Sequence, residues 1–568
     1  MKNLILLLIA TSLFSCSKSI QIKSPDGKIT VTVGTGDSSA VLYSVAIDDS
    51  IIIQNSRMGF LLGEGQEVGT NLEIMSYSEM EVNQTWKPVY GESSEITDHF
   101  NEVKIQLIQK RSPERKFEIT FRVYNEGVAF NYTFPAQSEN EKLHIHKELT
   151  EFRLTRNFEC WASERAQSEI RKIQVNSIEK PVERPLVVEA GNWLLAVGEA
   201  KLVDFARMKF MAGENENSLV TSLEGEATVK LPYTTPWRTI MIGKSAEELL
   251  ENNCFYENLN DPCAIEDVSW IKPGKVIREV TLTTQGGLAC VDFAAENGLQ
   301  YVEFDAGWYG AEGDENSDAT TVTVDPNRSP GPLDLHRVIE YAENKLMVDI
   351  HDEYRPTGFS RTYPNLLTQE GIRGDEESLS NEHTLITLFT RMLAGAGDNT
   401  NCYYAPRVTE KMGGHVSQLA KAVVLHSPWQ FLFWYDRPVG SPGKKGGAGD
   451  SDGFIKNHPE LEFYKNMPTV WDETKVIEAE IGQFATVVRR SGNDWFLGSL
   501  TGNEPRTCTI DFKFLDSGAD YSATVYSFDP ESESSTKVNI EQIHVNSSAS
   551  ISFDIFSNSG LAIQIQKN

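Results

Sequence analysis

The spacing of apolar residues predicts a three-part β plus α/β chain: a large antiparallel β-sandwich, a parallel β/α barrel and a small C-terminal β-sandwich. From 17 to about 265, runs such as AVLYSVAIDD and KFEITFRVYNEGVAFNYTF alternate apolar with polar residues between Gly, Asp and Asn, the signature of half-buried antiparallel strands. From 266 to 465 the period changes. GGLACVDFAAENGLQYVEFDAGWYG and PLDLHRVIEYAENKLMVDIHDEY each read as a helix followed by a buried strand, as in parallel βα units. From 466 to 568 the alternation returns in FATVVRRSGNDWFLGSL and GLAIQIQ.

Ahead of the first sandwich, residues 1–16, MKNLILLLIATSLFSC, read as an export signal. Lys2 gives a basic start and Leu4 to Ala10 an apolar core too short to span a bilayer. An ordinary cleaved signal is one reading. The Leu-Phe-Ser-Cys ending favours a bacterial lipoprotein box, which predicts lipidation at Cys16 and a place in the periplasm or on the outer membrane. The net charge of -29 repels phosphate backbones and argues against nucleic-acid partners. The seven cysteines form no CxxC pair; Cys254 and Cys263 are equally readable as a disulfide or as two separate thiols.

In a β/α barrel the C-terminal strand ends carry the chemistry. Two candidate strands end in acids, at Asp305 and at Asp352 with Glu353. The second runs into Arg355-Pro356-Thr357-Gly358, a turn that fixes the strand-end acids in place. Glu370, Asp375, Glu376 and Glu377 follow one loop later. Carboxylates paired across a pocket suit glycoside hydrolysis, one giving a proton and one acting on water or on the sugar. Carboxylates beyond two suit a hard cation such as calcium. Trp161, Trp308, Trp429 and Trp434 are candidates for stacking on sugar rings, at most half of them touching ligand. The Gly-rich stretch 440–453 lacks phosphate-binding spacing. DENSDATTVTVD (314–325) has Ala319 where a calcium loop needs Gly, and neither HExxH nor GxSxG occurs.

Four segments, WIKPGK (270–275), ERPLVVEAGNWLLAVGEAKLVDFARMKF (183–210), HDEYRPTGFSRTYPNLLTQEGIRGDEE (351–377) and FTRMLAGAGD (389–398), resemble glycoside hydrolase family 97, bacterial α-glucosidases and α-galactosidases. The resemblance implies an N-terminal β-super-sandwich, a (β/α)8-type barrel and a C-terminal β domain. It places the general acid on Glu376 and a calcium site on Glu199, Asp352, Glu370 and Glu376. The base falls to Asp352 or its neighbour Glu353, with inversion at the anomeric carbon. Asp305, Trp308, His351, Arg355 and Arg361 are then substrate-side residues. The chain departs from the family between Gly310 and Leu346, where one helix and an acidic loop stand in place of additional βα units, so the barrel is expected to be incomplete. The rival expectation is a binding lipoprotein that keeps the scaffold without catalysis.

Overall fold

The computed structural model describes residues 19–36, 39–110, 114–137, 142–318, 320–342, 348–351, 353–445 and 453–568. Cys16 and Asp352 lie outside these residues. The N-terminal part is built from a seven-stranded and a ten-stranded sheet, with a four-stranded sheet beside them. The strand Val41–Ile47 shows why they stack: Val41, Tyr43, Val45 and Ile47 face inward and the residues between them outward. Tyr43, Phe121, Phe130 and Phe152 meet in the core, with ring centroids 5.0 to 6.4 Å apart.

The strand Trp237–Gly243 is buried on both faces. Ile240 and Ile242 face the sandwich core. Trp237 and Met241 face a second cluster, which includes Leu385, Phe389 and Leu393 of the central part and Ala485, Val487 and Leu500 of the C-terminal sheet. One apolar cluster therefore joins all three parts, and each gains stability from the others' burial.

In the central part, Gly274–Arg278 pairs in parallel with Tyr301–Glu303 on one side and Trp429–Leu432 on the other. Val348–Ile350 pairs in parallel with Leu366–Gln369 as a separate ribbon. The helix Thr284–Asn297 leads into Tyr301–Glu303, and between Glu303 and Val348 the described residues hold the helix Leu335–Ala342 and no strand. The expected shortening of the barrel is thus present in the fold. The C-terminal part is a six-stranded antiparallel sheet with a two-stranded one packed on it, around Val488, Trp495, Leu497, Phe512 and Ile563. Cys254 and Cys263 are both free thiols.

Two glycines fix the loops that carry the site. Gly358 has φ +79°, and a Cβ on it would lie 2.4 Å from the Tyr256 carbonyl oxygen. Gly371 has φ +43°, and a Cβ there would lie 2.2 Å from the Tyr354 carbonyl oxygen. Only glycine allows such approaches.

Candidate active site

The parallel strands end together, and their last residues form one polar cluster. Arg278 ends the first strand and Glu303 the second, with Asp305 two residues on. The Arg278 guanidinium bonds Asp305, lies 4.0 Å from Glu303 and sits 4.4 Å over the Trp434 ring. Phe433, just past the last strand, has φ 60°, and the next amide, that of Trp434, donates to the Asn401 carbonyl at 2.9 Å. That turn puts the indole against His351, stacked with centroids 6.2 Å apart.

His351 is the hub. Its Nε2 lies 3.0 Å from Asp349 and 3.2 Å from Asp398, and its Nδ1 lies 3.3 Å from Glu370. Burial opposes its charge, but the hydrogen bonds to Asp349 and Asp398 and the nearby negative charge outweigh that and push it up to about 12. Asp349 is pushed up to about 6 by burial and by Asp398. Glu303 is pushed up to about 8 by burial and by Asp305, with Arg278 opposing. Ligand atoms of Asp349, His351 and Asp398 all lie within 4.8 Å of one another, close enough to share a metal ion.

Glu376 stands at the same place on a single 3-10 turn, Asp375–Glu377. Its neighbour Asp375 is the anchor: buried, it accepts from Lys421 Nζ at 2.9 Å and from the Cys402 amide at 3.4 Å. The Glu376 amide donates to Thr400 Oγ1 at 3.3 Å, and Arg407 donates to the Glu376 carbonyl at 2.7 Å. The backbone is held while the carboxyl is left to the cluster. Burial and the charge of Asp398 raise its pKa, against the pull of Arg278 and His351, which favours the protonated form an acid catalyst needs.

Other expected site residues are placed elsewhere. Glu199 is fully buried inside the sandwich, 2.6 Å from Arg184 and 2.9 Å from Arg238, and it accepts from the Met208 amide at 3.0 Å. Both of its oxygens are engaged, so the structure does not deliver it to a metal at the strand ends. Glu353 turns away to accept from the Ala166 amide at 2.8 Å, which takes it from the base position. Arg355 is buried and donates to the Arg184 and Ala166 carbonyls and to Ser163 Oγ, at 2.9 to 3.1 Å. Arg361 donates to the Glu257 carbonyl at 3.0 Å and lies 4.2 Å over Trp86. Both arginines join the central part to elements N-terminal to it. Trp308 packs on Tyr309, 5.2 Å between ring centroids. Of the four tryptophans, Trp434 is the one at the cluster. Trp429 packs on Tyr301 and Trp161 donates to Glu189.

Arg355→Lys should therefore lower the thermal midpoint, by the loss of about 2 kcal/mol of charged hydrogen bonding, and leave KM unchanged. Calorimetry and initial-rate kinetics on one preparation check both halves.

Sequence reading missed Arg278, Asp349 and Asp398. Asp349 lies on the strand Val348–Ile350 and His351 directly follows its end, a spacing of two that is legible in the sequence. Asp398 closes the segment FTRMLAGAGD (389–398), which the resemblance singles out without marking the acid itself. A cavity of about 1090 Å³ lined by Trp161, Arg373, His383 and Gln483 lies where the three parts meet, and the strand-end cluster does not line it.

The comparisons agree with this architecture. Residues 22–262 match the N-terminal pattern of glycosyl-hydrolase 97, residues 334–372 that of glycoside hydrolase 97, and residues 470–566 the C-terminal, oligomerisation pattern. The chain is 22% identical over 653 residues to a retaining alpha-galactosidase of Bacteroides thetaiotaomicron, covering 92% of this chain and 93% of that protein. It is 22% identical over 561 residues to a probable retaining alpha-galactosidase of Streptomyces bingchenggensis, covering 86% and 83%. A family 97 enzyme of Pseudoalteromonas sp. strain K8, solved with acarbose, superposes with a TM-score of 0.80 at 23% identity, over 97% of this chain and 100% of that one. A beta-arabinopyranosidase gives 0.78 at 18% identity, over 96% and 100%. With its N-terminal, catalytic and C-terminal patterns all matched in order, the chain belongs to glycoside hydrolase family 97.

Proposed function

We propose that this chain is an exo-acting α-glycosidase that removes terminal α-linked hexoses, with Glu376 as general acid. The observation that carries this reading is a half-buried carboxyl held toward its protonated form beside Asp398 and His351, at the ends of the parallel strands. The names of the two curated relatives support a galactoside substrate. Inversion, expected from the carboxylate after His351, gains no support from them, since both are named retaining. We therefore favour retention, with the second carboxylate drawn from the strand-end acids. Hydrolysis of 4-nitrophenyl α-galactoside and α-glucoside, followed by proton NMR of the first-formed sugar, tests substrate and stereochemistry together. Turnover of the galactoside with the α-anomer appearing first is the expected result. The β-anomer appearing first refutes retention, and no turnover refutes the enzyme reading.

The residues present fit a cation in part. Asp349, Glu370 and Asp398 set three carboxylates against one imidazole, and this excess negative charge is what a divalent ion would neutralise. Calcium suits the carboxylates, and Glu199 is outside the set. When bound, the ion would hold those carboxylates in register and give a fixed positive charge for a sugar oxygen. The chain's own part is independent of it: Glu376 holds the proton, Arg278 fixes Asp305, and the buried Trp434 packs against Arg278 and His351. Dialysis against a chelator should lower kcat/KM about tenfold or more, with recovery on adding calcium; equal rates throughout exclude the cation.

The rival reading, a sugar-binding protein without turnover, is favoured by the gap between Glu303 and Val348. Calorimetric binding of galactose with no hydrolysis would establish it.

A further inference from the structure

We propose that the outer face of the N-terminal sandwich carries a second metal site, for zinc or a similar borderline divalent ion, made by His144, His146 and Glu226. It shares no element with the strand-end cluster. In the strand Lys142–Glu148, Leu143 and Ile145 face the core while His144 and His146 face out, because residues two apart on a strand share a face. The strand Ala227–Lys230 pairs antiparallel with it, Ile145 opposite Ala227 and His144 opposite Thr228. One step along that register brings Glu226 against His146.

The Glu226 carboxylate spans the two rings. One oxygen lies 2.9 Å from His144 Nε2, and the other contacts His146 Nδ1. On the far side of the first ring, Thr228 Oγ1 lies 2.9 Å from His144 Nδ1. A hydrogen bond to the second ring nitrogen is what fixes the tautomer and the aim of a metal-binding imidazole. Gly63 makes room for that ring, since a Cβ there would lie 3.0 Å from His144 Cδ2. The three groups border a cavity of about 710 Å³, whose wall also holds Gln66, Arg115 and Lys142.

Two imidazoles and one carboxylate, with water at the fourth position, are a donor set that zinc takes. Calcium and magnesium prefer oxygen alone. A cation would sit where the Glu226 carboxylate now meets the two rings. The three side chains are each about half exposed, 47%, 56% and 48%, so they re-aim onto an ion without disturbing the core beneath. The acidic surface of the chain raises the local cation concentration around the site.

The test is calorimetric titration of the full chain with zinc chloride, read beside the zinc-induced rise in thermal midpoint. The chain and its His351→Ala variant should each bind this zinc equivalent. The His144→Ala/His146→Ala double variant should lose it together with the thermal shift, and Thr228→Val should bind about tenfold more weakly. Unchanged stoichiometry in the double variant, or loss of zinc in His351→Ala alone, overturns the proposal.

Discussion

Glu376→Gln should lower kcat/KM on α-glycosides with poor leaving groups by about 10² to 10⁴-fold, the share of a positioned general acid. The fold should survive, because the Glu376 contacts that hold the turn are its backbone amide and carbonyl. Leaving-group dependence separates catalysis from damage. An activated nitrophenyl glycoside needs little protonation on departure, so its rate should fall far less than that of a natural disaccharide. Equal losses on both substrates would remove the acid role from this residue.

The pH profile gives an independent check. The folded pKa of Glu376 is raised by burial and by Asp398, and the useful form is the protonated one. Activity should persist at low pH and decline as pH rises through that folded value, above the ordinary range of a glutamic acid. The basic limb should vanish in the glutamine variant, whose amide does not titrate. A limb that stays in place belongs to another group, such as Glu303, pushed up to about 8 at the neighbouring strand end.

What the sequence disclosed follows from how local each signal is. Period-two alternation is written into single segments, so the sandwich strands were legible, Val41–Ile47 among them. The short central part was legible too, because the interval from Gly310 to Leu346 has too few apolar runs for further strands. Glu370, Glu376 and His351 were found because they sit in one motif-rich stretch. Arg355 and Arg361 lie in the same stretch, and their guanidinium groups tie the central part to N-terminal elements. A distinctive motif says that a residue is needed, and a buried guanidinium tying two parts together is needed as much as one touching a ligand. Asp398 and Arg278 reach His351 and Asp305 through tertiary folding, which no local pattern encodes.

Glu199 shows the same limit most sharply, and its replacement should have the largest effect on stability. It lies in a wholly buried network: Arg184 at 2.6 Å and Arg238 at 2.9 Å on Glu199, Glu148 bonded to Arg238 from the other side at 2.8 Å, and Glu183 3.3 Å from Arg184. Burial alone would lower the Arg238 pKa; Glu148 and then Glu199 more than reverse that. Removing one partner from such a network strands a charge in a low-dielectric interior, at a cost of about 3 to 5 kcal/mol. For a unit the size of the N-terminal sandwich this is roughly 6 to 20 °C in thermal midpoint. Glu199→Gln should show that loss in chelator as well as in calcium, because the partners are guanidinium groups. A metal ligand would behave oppositely: the midpoint in chelator would be unchanged, and only the calcium-dependent increment would disappear.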